Sequence, residues 1–145
     1  MENIKDIAIQ VIDTEARSIL RLKELLNDNF TKVVELILNS KGNVVVSGIG
    51  KSANIAQKIV ATLNSTGTTA VFMHAADAIH GDLGIIRDDD VVIIISKSGE
   101  TPEIKVLTPL IKIRKNKLVA IVGNTKSYLA AEADYVLDTT VPHEA

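Results

Sequence analysis

Two short stretches of this sequence put small, hydroxylated and charged residues where an apolar run gives way to a helical pattern. The first is Ser47-Gly48-Ile49-Gly50-Lys51-Ser52, after Val44-Val45-Val46. The second is Ser96-Lys97-Ser98-Gly99-Glu100-Thr101-Pro102-Glu103, after the run from Val91 to Ile95. Backbone N–H groups at a helix start, with hydroxyls and a lysine nearby, suit a small anion. The Gly-Lys-Ser of the first stretch invites a P-loop reading, and its Gly-x-Gly-x-x-Ala invites a dinucleotide reading. A P-loop needs a further glycine at position 45, so that successive N–H groups wrap the phosphates. Val45 stands there, inside the apolar run. A dinucleotide site needs an acid roughly 20 residues on, at the end of the second strand. That run ends Phe72-Met73-His74, with no acid before Asp77. Neither nucleotide reading meets its second requirement. Two readings stay open for the second stretch. One is a phosphate-monoester pocket using Ser96 and Ser98. The other is capping alone, with Thr101 as N-cap, Pro102 at the first helical position and Glu103 at the positive end of the dipole.

Other chemistry-bearing residues are few. Lys51 is either a solvated lysine at a helix start or an anion ligand, and the dipole slightly disfavours its charge there. Glu103 is equally a first-turn glutamate or a placed carboxylate. His74 and His80, six residues apart in a loop, are weak evidence for a metal. Asp88-Asp89-Asp90 reads as a solvated turn. There is no cysteine, which excludes a disulfide scaffold, a thiolate nucleophile and a Cys-ligated zinc.

The elements that must position these loops follow from periodicity. Apolar residues at Ile4, Ala8, Ile12, Ala16, Ile19 and Leu22 recur at helical spacing, which predicts an amphipathic helix over 3–27. Asn29 is the expected cap of a second helix, Phe30 to Leu38, ended by the Asn39-to-Asn43 segment. The pattern then changes to short β-branched runs at 44–46, 70–72, 91–95, 119–122 and 135–137. Such runs suit strands buried on both faces of a parallel sheet. Helical stretches at 52–63, 103–115 and 127–133 separate most of them. The expected architecture is α/β, a doubly wound, mainly five-stranded parallel sheet flanked by helices and preceded by two helices. The 145 residues make one domain, with N-terminal helices over 3–38 and an α/β core over 43–145. Ligands in such sheets sit beyond the carboxyl ends of the strands, so the loops to search are Ser47–Ser52, His74–Gly84, Ser96–Glu103 and Gly123–Ser127.

Composition limits the partners. A formal net charge of −2 and four Phe and Tyr residues with no Trp argue against nucleic acid, which needs basic and stacking surfaces. No apolar run approaches the ~18 residues of a membrane span. The charged N-terminus lacks an apolar signal core, so the expected compartment is the cytoplasm. The wide apolar stripe of the first helix precedes a domain that already has helices for both sheet faces, so it is expected to pack on another subunit.

The segments Val44–Ser52, Ser65-Thr66-Gly67-Thr68, His74–Gly84 and Ser96–Ile104, in this order, resemble the sugar isomerase (SIS) domain. The pairing of Gly-Ile-Gly-Lys-Ser with His-Gly-Asp-Leu-Gly is similar, more narrowly, to the D-arabinose-5-phosphate isomerase family. The resemblance runs from about Asn29 to Ala145. It implies interconversion of D-ribulose 5-phosphate and D-arabinose 5-phosphate by a cytoplasmic homotetramer that feeds Kdo and lipopolysaccharide synthesis. It also implies catalytic roles for Lys51, Glu103, Glu144 and His80, with Glu144 the leading general base. Substrate contacts are implied at Ser47, Gly50, Ser52, Gly67 and Thr68, at His74 and His80, and at Ser96, Ser98, Gly99 and Thr101. His74 is the expected holder of an inhibitory zinc, and His143 is incidental. In the family the domain continues past this point with a helical segment carrying another histidine, and many members add a pair of CBS modules.

Aldose–ketose isomerisation moves a proton between adjacent carbons through a cis-enediol. It needs a base of tuned pKa, a donor for the oxyanion and a phosphate anchor, with no cofactor. Two alternatives share these loops: a hexulose-phosphate isomerase, and a non-catalytic sugar-phosphate sensor. Lys51, Glu103 and Glu144 together favour an enzyme, because a sensor needs the serines and not the carboxylates.

Overall fold

The computed structural model describes residues 3–143. Five strands form one all-parallel sheet: β1 Val44–Gly48, β2 Ala70–His74, β3 Val91–Ser96, β4 Lys117–Val122 and β5 Tyr135–Asp138. Their order is β2-β1-β3-β4-β5, with Val44 opposite both Ala70 and Val91. This is the expected doubly wound α/β layer. Two helices, α1 Ile4–Leu25 and α2 Asp28–Asn39, come first. The rest are α3 Lys51–Ser65, α4 Ala75–Ala78, α5 Pro102–Ile113 and α6 Tyr128–Glu132.

Strand alternation sorts the core into two layers. Val44, Val46, Ile93 and Val119 face one side, where Val33 of α2 and Ala56 of α3 cover them. Val45, Val92, Ile94, Leu118 and Ala120 face the other, under Ala78 of α4, Ile104, Leu107 and Ile111 of α5, and Leu129 of α6. The central strands are buried on both faces, which is why their sequences are continuous β-branched runs rather than alternating ones.

Three local readings are corrected. The cap of α2 is Asn27, whose side chain accepts from the Asn29 N–H at 2.9 Å. Asn29 instead donates its amide to the Val136 carbonyl at 3.3 Å, tying α2 to β5. The His74–Gly84 stretch is not simple loop but contains α4 and a 3-10 turn, Asp82–Ile85. The acidic run is only partly solvated. Asp90 is 3% exposed, and its carboxylate accepts from the Asn43 N–H at 2.7 Å and the Arg87 N–H at 2.8 Å. Asn116, also buried, donates to the carbonyls of Arg87 at 2.7 Å and Asp90 at 3.0 Å. Together they close the amino-terminal edge of the sheet.

Helix α1 is different from every other long helix in the molecule. None of its 22 residues is buried, and Ile4, Ile12 and Ile19 are 84%, 63% and 67% exposed. No helix among the described residues is long and apolar enough to cross a membrane.

Candidate functional site

The chain winds one way from β1 to β2 and the other way through β3, β4 and β5. A crevice therefore opens beyond the carboxyl ends of β1 and β3, where the connections diverge. A cavity of about 450 Å³ lies there, lined by Ile49 and Ser52, by Ser96, Lys97, Ser98 and Thr101, and by Gly123 and Asn124. Three loops converge on it, one from each of the three central strands.

The first loop is compressed. A β-carbon on Gly48 would come within 2.9 Å of the Ser52 backbone, so only glycine lets the start of α3 fold back over the end of β1. Helix α3 has Gly50 as its N-cap and no side-chain cap. The Ala53 N–H already bonds the Gly50 carbonyl at 3.0 Å, so the donors without a capping side chain are those of Lys51 and Ser52, which suit an anion. Lys51 is exposed at this helix start and has no ion pair among the described residues. The Ser47 hydroxyl, fully buried at the end of β1, has no partner among the described residues.

The second loop uses its hydroxyls twice. The Ser96 oxygen accepts from the Gly99 N–H at 3.0 Å, and the Ser98 oxygen accepts from the Glu100 N–H at 3.2 Å. Both serines shape the turn by accepting, and each keeps its own proton to donate to an anion. The turn reading and the anion reading therefore describe the same residues. Thr101 holds the N-cap position but makes no capping bond, and its hydroxyl is buried without a partner among the described residues. A buried orphan hydroxyl is costly unless something else fills it. Gly99 has φ 65°, and a β-carbon there would lie 2.1 Å from the Ser127 hydroxyl, so the turn is pressed against the start of α6.

Glu103, in the first turn of α5, is half-buried and has no hydrogen bond or ion pair among the described residues. His80 is exposed on the turn after α4, on the same carboxyl edge. His74 ends β2, with its Nδ1 3.8 Å from the Asp77 carboxylate. One imidazole and one carboxylate fall short of the three protein ligands that zinc sites use, and no group of three metal-binding side chains occurs among the described residues. Glu144 lies outside the described residues.

Gly67 and Thr68 do not join the cavity. They follow α3, and Thr69 then leads into the start of β2, with the Thr69 carbonyl accepting from Val44 N–H at 2.9 Å. That is the amino-terminal edge, a whole strand away. Conversely, Asn124 and Gly123 line the cavity without having been singled out as site residues. The only signal for them was their place after the fourth β-branched run.

A doubly wound parallel sheet with a hydroxyl-lined cavity at its switch point, and no nucleotide fingerprint, is an α/β domain whose cavity has the chemistry to suit a small anion. The chain belongs to the SIS domain family, which it matches over residues 36–145. It is 46% identical over 138 residues to the arabinose 5-phosphate isomerase KdsD of Pseudomonas aeruginosa, covering 95% of this chain and 42% of that protein. To the arabinose 5-phosphate isomerase GutQ of Escherichia coli K12 it is 45% identical over 136 residues, covering 94% and 42%. The chain thus spans about two-fifths of the length of these relatives. An Escherichia coli CFT073 protein solved in complex with arabinose 5-phosphate superposes with a TM-score of 0.85 at 35% identity, covering 98% of this chain and 77% of that one.

Proposed function

We propose that this domain isomerises D-arabinose 5-phosphate and D-ribulose 5-phosphate, as part of a longer cytoplasmic protein that supplies Kdo and lipopolysaccharide synthesis. The observation that carries the reading is the cavity itself. It gathers the Ser96 and Ser98 hydroxyls, the orphan Thr101 hydroxyl and the uncapped start of α3. That is a phosphate anchor without a nucleotide pocket. The sequence relatives, and the structural neighbour that holds arabinose 5-phosphate, narrow the sugar to a pentose phosphate.

The phosphate sits between the Ser96–Thr101 turn and the Gly48–Ser52 turn, where the starts of α5 and α3 converge. Lys51 steadies the phosphate or the enediolate oxygen as a fixed cation. Glu144 removes the proton beside the carbonyl and returns it to the neighbouring carbon, while Glu103 and His80 are the competing groups for that role. Gly67 and Thr68 can reach a site only from a second copy of the chain. The exposed apolar stripe of α1 supports the same homo-oligomer, a tetramer by the resemblance.

The deciding experiment is conversion of ribulose 5-phosphate by the intact protein and by Glu144→Gln, Glu103→Gln and His80→Asn. Glu144→Gln should lower kcat about 10²-fold or more with KM little changed. If Glu144→Gln turns over normally while one of the other two is dead, the base is reassigned. Normal turnover in all three removes the acid–base mechanism. Conversion of a hexulose 6-phosphate instead, or tight binding without turnover, overturns the pentose isomerase.

A further inference from the structure

The turn that shapes the anion cavity is held from behind, on the side away from the ligand. Glu100, its fifth residue, is on the surface and outside the cavity lining. Its carboxylate contacts two separate elements: Lys105 of α5, with Nζ 2.6 Å away, and the Tyr128 N–H at the start of α6, 2.5 Å away. The residue before it makes a parallel contact, the Gly99 carbonyl accepting from the Leu129 N–H at 3.1 Å. Two consecutive residues of the turn therefore dock on two consecutive N–H groups of α6. The Lys112–Glu132 pair nearby joins only side chains; Glu100 instead fastens a loop to the backbone of another element. The hydrogen bond from Lys105, and then that from Tyr128, hold the Glu100 carboxyl below the ordinary glutamate range.

We propose that Glu100 is a positioning residue for phosphate binding: by bridging Lys105 and the Tyr128 N–H it holds the Ser96–Thr101 turn in the shape that aims Ser98 and Thr101 at the anion. This rests on the reading of that turn as the phosphate anchor. An acid beside a phosphate would repel it in the open. Here its charge is turned outward and met by a cation and a backbone donor. The phosphate is bound equally in the ground and transition states, so a misplaced anchor weakens binding without slowing chemistry.

The test uses Glu100→Ala, Glu100→Gln and Lys105→Ala in the intact protein, with isomerase kinetics, calorimetric titration of inorganic phosphate and thermal melting. Glu100→Ala should raise KM about tenfold and weaken phosphate binding in parallel, with kcat within about twofold. Glu100→Gln and Lys105→Ala should fall between wild type and Glu100→Ala, because each keeps an acceptor for Tyr128 and loses only the ion pair. Unchanged KM and phosphate affinity in Glu100→Ala overturn the proposal, as does a fall in kcat at constant KM. So does an affinity loss that merely follows the fraction unfolded. If the wild type binds phosphate without isomerising a pentose phosphate, and Glu100→Ala still weakens that binding, the positioning role stands and the isomerase reading falls.

Discussion

At the amino-terminal edge of the sheet, side chains close on backbone: Asp90 on the Asn43 and Arg87 N–H groups, Asn116 on the Arg87 and Asp90 carbonyls, and Ser40 on the Asp89 carbonyl at 3.0 Å. At the carboxyl edge, the Ser47 hydroxyl in β1 and the Thr101 hydroxyl at the start of α5 close on nothing among the described residues, and α3 starts without a side-chain cap. The first edge uses its polar groups to join segments remote in sequence. Each edge leaves buried polar atoms without a partner among the described residues, Asn116 Oδ1 at the first and the Ser47 and Thr101 hydroxyls at the second. Each carries a cost in stability, and that cost is informative only where a ligand can make the missing bond, as at Thr101, which lines the cavity. The contrast sets polar groups that join remote segments against polar groups that border an open cavity.

The largest effect expected from this contrast is catalytic. Lys51→Ala should cut kcat/KM about 10²-fold or more while leaving the melting temperature unchanged, since the lysine is exposed and has no ion pair among the described residues. A parallel loss of stability would break the comparison. Next comes the opposite edge. Asp90→Ala strands two backbone donors and should destabilise by roughly 2–4 kcal/mol in urea unfolding, with kcat of the folded protein intact. Thr101→Val is smaller and sharper, because it should raise KM about tenfold while stability holds or rises, an orphan hydroxyl having been removed. A melting temperature that falls would show that the hydroxyl has a protein partner after all. The smallest effect belongs to Lys112, whose hydrogen bond to Glu132 raises its pKa on a fully exposed surface. Its contribution is present below the ordinary lysine pKa and fades as pH rises through the raised value. Lys112→Ala should leave melting at neutral pH unmoved, and any difference between it and wild type should shrink further in strong alkali.

Most of the fold was legible because buried parallel strands announce themselves as β-branched runs, and all five were found. The misreadings were local. Asn27 and Asn29 are chemically equal candidates for one cap, and only the path of α2 over β5 decides between them. In Asp88-Asp89-Asp90 the three side chains are identical, but the turn directs the last of them inward toward Asn43 and Arg87. Helix α4 is four residues long, too short to show a period. Of the candidate site, the two loops that border the cavity were legible from glycine, serine and the Pro102 helix start. Their convergence with Asn124 was not, because it depends on strand order, whereas the place of Gly67 and Thr68 between a helix and the next parallel strand already marks them as amino-terminal-edge residues. The Glu100 bridge was equally invisible, since Tyr128 contributes a backbone N–H that any residue would supply.

The pairing of β1 with both β2 and β3 has a consequence in time as well as in space. On the ribosome, Val44–Gly48 can find Ala70–His74 early, but its other neighbour is Val91–Ser96. At typical elongation rates the interval between Val44 and Val91 is on the order of 2–9 s. Throughout it, β1 presents an unpaired edge of Val44, Val45 and Val46, the sort of flat apolar strand that pairs with the wrong chain. The nascent two-stranded intermediate is therefore a stage with an open apolar edge, exposed to wrong pairing. A pause that holds the chain with β2 emerged and β3 still inside the ribosome should lower its soluble yield more than the same pause placed after the whole chain has emerged.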